Sequence, residues 1–183
     1  SNVRLLTPSG ENQYFETPLT VHKVIKAVYR RQNVRLKHPH TEDVRLLDYE
    51  FLEVTSSDLL RFQNLWPIVA GPIERTFSGS LSREGSMSLS VRESNVPDHS
   101  VCFWRLDQPL LQDVDYFERF NKRIYNYRIG ASRVRLPFVG LQGAERMLRA
   151  GTVVRLSLAR WWRPENADYS DKRCQLQLSG WYS

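Results

Sequence analysis

The sequence predicts a single α+β domain in which three to four helices pack on a mainly antiparallel sheet. Its 183 residues fit one domain, and a hydrophobic content of 41% is enough to form a packed core. Apolar residues recur at helical spacing in some segments and alternate with polar residues in others. The predicted helices do not separate the strands regularly, which argues against a doubly wound parallel sheet.

We predict two regions of unequal size. Residues 1–19 form an irregular N-terminal segment, because Pro8, Gly10 and Pro18 interrupt a polar stretch. Residues 20–183 form the single α+β domain, since no internal linker is long enough to divide them.

The first predicted helix begins at an N-cap, Thr20, and ends near Arg31. Its apolar positions follow the i, i+3, i+4, i+7 spacing of an amphipathic helix, and its other face is basic. These apolar positions are Val21, Val24, Ile25 and Val28.

A strand is predicted over residues 43–54, with Leu47, Tyr49 and Phe51 on the face that enters the core. A short helix over residues 57–66 follows. It ends at a proline, which cannot continue a helix.

Residues 75–93 predict an antiparallel hairpin. Apolar residues alternate with serines on both sides of a turn at residues 83–86, which indicates one buried and one serine-rich face. Another strand is predicted from Val101 to Leu106.

The clearest predicted helix begins after an N-cap at Asp113 or Asp115 and ends just before Gly130, which takes the C′ position. Its apolar stripe consists of Val114, Phe117, Phe120, Ile124 and Tyr127.

The remaining elements are a short strand over residues 133–139, a short helix over residues 142–150 and two final strands. The final strands, at residues 152–162 and 174–182, are predicted to form a hairpin with a long loop. Leu156 and its alternate neighbours form the apolar face of the first of them, so Arg155 lies on the opposite face.

No apolar run reaches the ~20 residues that a membrane helix needs, and no secretory signal is visible. The cysteines, Cys102 and Cys174, are expected to be two buried thiols in a reducing compartment, although spacing alone leaves a disulfide open. We therefore expect a cytoplasmic or other intracellular location, with association with a virion as a further alternative.

We predict that the chain is not an enzyme and that it holds neither a cofactor nor a metal. His38 and His40 have a spacing that two metal ligands can use, but structural zinc needs four nitrogen or sulfur ligands. Asp48 and Glu50 share one strand face, which keeps a metal-dependent nuclease open as an alternative. A solvated acidic face also explains this pair. The lysine that such nuclease sites usually have nearby does not follow Glu50.

Positive charge is concentrated at the two ends of the sequence. The net charge is +5 over residues 1–40, −7 over residues 41–120 and +8 over residues 121–183, and 21 of the 26 basic residues are arginine. Arginine has a planar, forked side chain that matches phosphate and stacks on aromatic rings.

This pattern predicts a nucleic-acid-binding protein, for RNA or DNA, in which the basic segments meet on one face. On the first helix, Lys23, Lys26, Arg30 and Arg31 are predicted to steer and position the ligand. Farther along the chain, phosphates are predicted to be neutralised by Lys122, Arg123, Arg128, Arg133 and Arg135. The last hairpin adds Arg163, and the stacking candidates are Tyr127, Trp161 and Trp162.

The uneven charge also supports an alternative partner. The acidic middle of one copy and the basic ends of another would allow a homo-oligomer to form. Such a protein would be a structural, matrix-like or capsid-associated component that contacts an anionic membrane or a nucleoprotein.

Overall fold

The computed structural model describes residues 4–13, 17–19, 23–31, 39–53, 67–85, 87–143, 145–163 and 172–182. Half of these residues are in strands and a tenth are helical. The strands are β1 Arg4–Leu6, β2 Val24–Arg31, β3 Asp43–Leu52, β4 Ile68–Val69, β5 Ser82–Glu84, β6 Ser88–Arg92, β7 Val101–Arg105, β8 Leu110–Gln112, β9 Ile124–Ile129, β10 Ser132–Pro137, β11 Met147–Leu148, β12 Val153–Leu158 and β13 Arg173–Tyr182. The described helices are a 3₁₀ helix, Ile73–Gly79, and an α-helix, α1 Val114–Phe120.

The strands form three sheets. Their orders are β1-β3-β2, β10-β9-β8-β11 and β4-β7-β12-β13-β6-β5. Two pairings, β1 with β3 and β4 with β7, are parallel, and the others are antiparallel. The predicted α+β class with three to four helices on a sheet is therefore wrong, because the described chain is mostly β and its sheets are mixed.

The hydrophobic core lies between the four-stranded and the six-stranded sheet. Trp104 and Tyr125 are its largest fully buried side chains, and Leu156, Leu176 and Leu178 pack with them. This is the arrangement of two sheets that face each other across interdigitating side chains.

The first predicted helix is wrong, because the described part of that segment is the strand β2. β2 pairs antiparallel with β3, and the register shifts between Val28 and Tyr29. The extra residue of this irregularity is Leu47 of β3, since Val28 pairs with Asp48 and Tyr29 with Leu46. The β-branched residues that suggested an apolar helical stripe also favour a strand once a partner is present.

The predicted helix over residues 113–130 is wrong beyond its first two turns. Asn121 adopts a left-handed conformation with φ 51° and ends α1, and β9 follows. Gly130 does not cap a helix. It belongs to the two-residue turn between β9 and β10, whose pairing begins at Ile129 and Ser132.

Other predicted elements are confirmed over part of their length. β7 and the hairpin of β12 and β13 lie where they were predicted, and β10 matches the predicted strand over residues 133–139. The predicted hairpin over residues 75–93 is limited to β5 and β6. Before it, the chain forms the 3₁₀ helix, in which the Thr76 hydroxyl donates to the Ile73 carbonyl at 2.7 Å.

Three further expectations differ from the structure. β3 is confirmed, but its predicted core face is not: Leu47 is 47% and Phe51 44% exposed, whereas Val44 and Leu46 are buried. The predicted helix over residues 142–150 is wrong, since β11 lies there and pairs with β8. The N-terminal segment contains β1, which pairs with β3. The predicted helix over residues 57–66 lies outside the described residues.

Candidate nucleic-acid interface

The β9–β10 hairpin has one face in the core and one basic face. Tyr127 pairs with Val134 across the two strands, and both are buried. On the opposite face Arg133 stands directly across from Arg128, and Arg135 follows two residues farther along β10. Residues directly opposite in a sheet share a face, so these three arginines point the same way.

The helix α1 is fixed beside this basic face by its N-cap. The Asp113 carboxylate accepts a hydrogen bond from the backbone N–H of Tyr116 at 3.1 Å. Its other oxygen accepts one from the side-chain amide of Asn126, in β9, at 3.3 Å. One side chain therefore caps the helix and ties it to the hairpin.

Guanidinium groups and aromatic rings alternate where α1 meets the hairpin. Arg135 lies over the ring of Tyr116 at 5.2 Å, Arg123 over Phe117 at 5.8 Å and Arg119 over Phe120 at 5.1 Å. These distances are typical of cation–π contacts. Phe120 also contacts Tyr116, with ring centroids 4.6 Å apart, and is 49% exposed.

These side chains form a surface that we call the helix–hairpin surface. It consists of Tyr116, Arg119, Phe120, Lys122, Arg123, Arg128, Arg133 and Arg135. In the described part of the chain, none of its six cations forms an ion pair; the ion pairs there involve other residues, such as Arg4 with Asp43 and Arg92 with Glu84. A cavity of about 270 Å³ opens on the surface and is lined in part by Arg133, Arg135 and Asn126.

All five predicted phosphate-neutralising residues lie in the loop after α1 or in the β9–β10 hairpin, and they belong to this surface. They are Lys122, Arg123, Arg128, Arg133 and Arg135. Lys122, Arg128 and Arg133 are exposed, while Arg123 and Arg135 are partly covered by the aromatic rings beneath them.

The predicted residues of β2 lie elsewhere. Lys26, Arg30 and Arg31 are exposed on the edge strand of the three-stranded sheet, and Arg31 lines a cavity of about 540 Å³ with Arg75. Lys23, just before β2, lines a different cavity. The expected convergence of all basic segments on one face is therefore not seen.

The prediction that Tyr127 stacks on a base is wrong, because the structure buries this residue. Only 3% of it is exposed, and its ring packs edge-on against Trp104 at 5.3 Å. Its hydroxyl donates to Asp107 at 3.0 Å and accepts from the backbone N–H of Ile73 at 3.4 Å. Burial raises the pKa of this hydroxyl. Tyr127 is part of the core and presents no face to a base.

The two predicted tryptophans differ from each other. Trp161 is partly buried and packs against the core, so the prediction that its ring is open for stacking is also wrong. Trp162 is 56% exposed and, like Arg163, lies at the far end of the β12–β13 hairpin, where it pairs with Arg173. The structure does not place these residues on the helix–hairpin surface.

Sequence reasoning missed Tyr116 and Arg119 and assigned Phe120 to a buried stripe. The reason is the predicted length of the helix, since a helix of five turns would have buried the ring of Phe120. The alternation of Tyr125, Tyr127 and Ile129 before Gly130 was the available signal for a strand.

The residues considered for metal chemistry do not form a cluster in the described part of the chain. Asp48 and Glu50 are exposed on β3, and Glu50 faces Lys26 across the β2–β3 pair. His40 is buried rather than solvated, and its Nδ1 accepts a hydrogen bond from Arg4 at 2.5 Å. His38 lies outside the described residues. The nuclease and self-assembly alternatives stay predictions, as does the absence of catalysis.

Both cysteines are free and buried, as the sequence predicts. Among the helices that the structure describes, none has the length and apolar character needed to cross a bilayer. No known protein family, curated protein or solved structure matches this chain.

Proposed function

We propose that this protein binds nucleic acid, RNA or DNA, through the helix–hairpin surface. The proposal is carried by one observation: six cations lie together on this surface, and none forms an ion pair with a described carboxylate. Asp113 is the acidic neighbour that shares a cavity with Arg133 and Arg135. Its oxygens accept hydrogen bonds from Tyr116 and Asn126. An anionic backbone would supply the missing charges and release the counterions that the surface now holds.

The aromatic rings favour an unpaired strand as the ligand. Phe120 is half exposed beside Arg119, so a base can stack on the ring while the guanidinium contacts its phosphate. Such stacking contributes about 1–3 kcal/mol per base and does not depend on the base identity. Backbone neutralisation also carries no sequence information, so we expect binding with little sequence preference.

The compartment is part of the same proposal. Two free, buried thiols fit a reducing, intracellular environment.

The test compares two variants that remove the same charge from different sheets. The first is Arg128→Gln with Arg133→Gln and Arg135→Gln on the hairpin. The second, the matched control, is Lys26→Gln with Arg30→Gln and Arg31→Gln on β2. Fluorescence anisotropy would measure the affinity for a labelled single strand and for its duplex at low salt.

We expect the hairpin variant to bind the single strand at least about thirtyfold more weakly, since each lost charge-assisted contact is worth about 1 kcal/mol or more. The β2 variant should lose less than about fivefold, because it removes only the long-range part of the attraction. Circular dichroism would verify that both variants fold. Equal losses in the two variants would mean that net charge, not this surface, attracts the strand, and the proposal would fail.

A further inference from the structure

A second basic region lies between the three-stranded and the six-stranded sheet. It is a cavity of about 660 Å³, lined by residues of β1, β12 and β13 and by side chains next to and within β2. Its volume falls within the range of about 300–1,000 Å³ that is typical of small-molecule sites. None of its lining residues belongs to the helix–hairpin surface.

Four cationic side chains line this cavity, and none of the other described lining residues is a carboxylate. The cations are Arg4, Lys23, Arg155 and Arg160. Asp43 neutralises Arg4 through a 2.6 Å ion pair. Arg160 donates to the carbonyl of Gly10 at 3.1 Å and forms no ion pair with any residue that the structure describes. In the part of the chain that the structure describes, Lys23 has no ion pair either.

Arg155 is the central group of the site. It lies in β12, on the face opposite the buried Leu156, and donates one hydrogen bond to the Ser179 hydroxyl at 3.2 Å. That hydroxyl donates in turn to the Arg155 carbonyl at 3.1 Å, which fixes the pair. Arg155 lines the cavity, and among the described residues no carboxylate forms an ion pair with it.

This arrangement is costly without a ligand. Burial removes the Arg155 guanidinium from water and lowers its pKa, and the smaller opposing effects of Tyr182 and the Glu42 carboxylate do not offset it. A desolvated charge without a counter-charge destabilises a fold, which is why buried charges are normally paired. An anion in the cavity would provide the counter-charge for Arg155, Arg160 and Lys23 together.

The rest of the lining indicates what the anion is attached to. Leu5, Ile25 and Leu141 give the cavity apolar walls, and Tyr182 adds an aromatic ring. Three uncompensated cations match a doubly charged group with several acceptor oxygens. The geometry points to a binding site for a phosphate monoester with an apolar or aromatic body. This site stands independently of the nucleic-acid proposal.

Calorimetric titration tests the site with three probes: inorganic phosphate, adenosine 5′-monophosphate, and a short oligonucleotide with or without a 5′-phosphate. We expect the monophosphate to bind more tightly than inorganic phosphate, because it also contacts the walls. Arg155→Gln should weaken this binding at least about tenfold, the effect expected from losing a charge-assisted hydrogen bond. Arg160→Gln, at an exposed position, should weaken it as well.

Arg149→Gln is the matched control, since this exposed arginine does not line the cavity, and it should leave the affinity unchanged. Arg155→Gln should also unfold at a higher temperature than the parent protein without ligand, because a buried charge is removed.

The 5′-phosphorylated strand distinguishes the two sources of the ligand. If this strand binds more tightly than the monophosphate and Arg155→Gln abolishes the difference, the ligand is the 5′ end of a strand. If the strand and the monophosphate bind equally, the ligand is a free monoester. Absence of monophosphate binding at low salt, or equal binding by Arg155→Gln, would overturn the site whatever the behaviour of the helix–hairpin surface.

Discussion

A buried polar chain joins the three-stranded sheet to the start of β13, and it consists of Arg4, Asp43, His40 and Cys174. Arg4 donates to Asp43 at 2.6 Å and to His40 Nδ1 at 2.5 Å, and His40 Nε2 lies 3.8 Å from the Cys174 sulfur. Because arginine has no acceptor, Nδ1 must be unprotonated and His40 neutral. Burial, reinforced by the neighbouring Arg4 charge, lowers the pKa of His40 to about 4.

This chain predicts a loss of stability in mild acid. In the unfolded state His40 takes up a proton near its ordinary pKa of about 6.5, whereas in the folded state it does so only near pH 4. The unfolded state therefore binds more protons between these values, and stability falls as the pH falls through this window. Urea unfolding at pH 7 and pH 4.5 should show a loss of about 2–3 kcal/mol from this residue.

The comparison variant is His40→Asn, whose side-chain oxygen can still accept from Arg4. It should be less stable than the parent at pH 7 but lose less stability on acidification. The carboxylates that titrate in the same range are present in both proteins and cancel in the difference. If acidification lowers the stability of the two proteins equally, folding does not lower the pKa of His40, and the prediction is contradicted.

Single residues also show how far sequence reasoning reached. Lys122, Arg128 and Arg133 were predicted as exposed cations and are exposed, because a charge is seldom buried without a partner. The burial of Tyr127 could not be predicted in this way. A tyrosine occurs both in a core, where its hydroxyl finds a hydrogen-bond partner, and on an exposed surface. Its burial depends on Asp107 and Trp104, which are distant in sequence.

Among the elements, the β9–β10 hairpin is the one on which the proposed interface depends. Its turn requires Gly130, which has a positive φ of 58°, while the following Ala131 does not. This is the pattern of a type II′ turn, whose first position favours glycine. The turn brings Arg128 opposite Arg133, an arrangement of like charges that destabilises a sheet.

Gly130→Ala is therefore expected to destabilise the protein by about 1–2 kcal/mol, because a left-handed conformation strains any residue with a Cβ atom. Chemical denaturation would measure the change. Gly143→Ala is the matched control: Gly143 has ordinary backbone angles and open space around it, so the same substitution should be neutral or slightly stabilising. A Gly130→Ala protein as stable as the control would contradict the turn described here.

Strands with undisturbed alternation were predictable, and the others were not. β7, β12 and β13 alternate or are continuously apolar and were found in the sequence. β2 was not, because Val24, Ile25 and Val28 also fit helical spacing and only pairing with β3 decides between a helix and a strand. β9 was not, because its apolar residues continue the helical spacing of α1 and only pairing with β10 decides between the two.

For the protein as a whole, charge distribution was predictable and its arrangement in space was not. The two positive ends of the sequence do not merge, since β2 belongs to one sheet and the β9–β10 hairpin to another. Some of the basic residues lie on an open surface with aromatic rings, others line a cavity around Arg155, and Lys26, Arg30 and Arg31 lie on the β2 edge. This division predicts two anion sites with different ligands rather than one continuous basic face.

The measurement that bears most directly on the proposed function is the salt dependence of binding to an unstructured single strand. The helix–hairpin surface has six cations that form no ion pair with any described residue. They predict that log K falls with log salt with a slope of about −4, since each neutralised phosphate contributes about −0.7 for a single strand. A slope shallower than about −1, or no binding at low salt, would contradict the account.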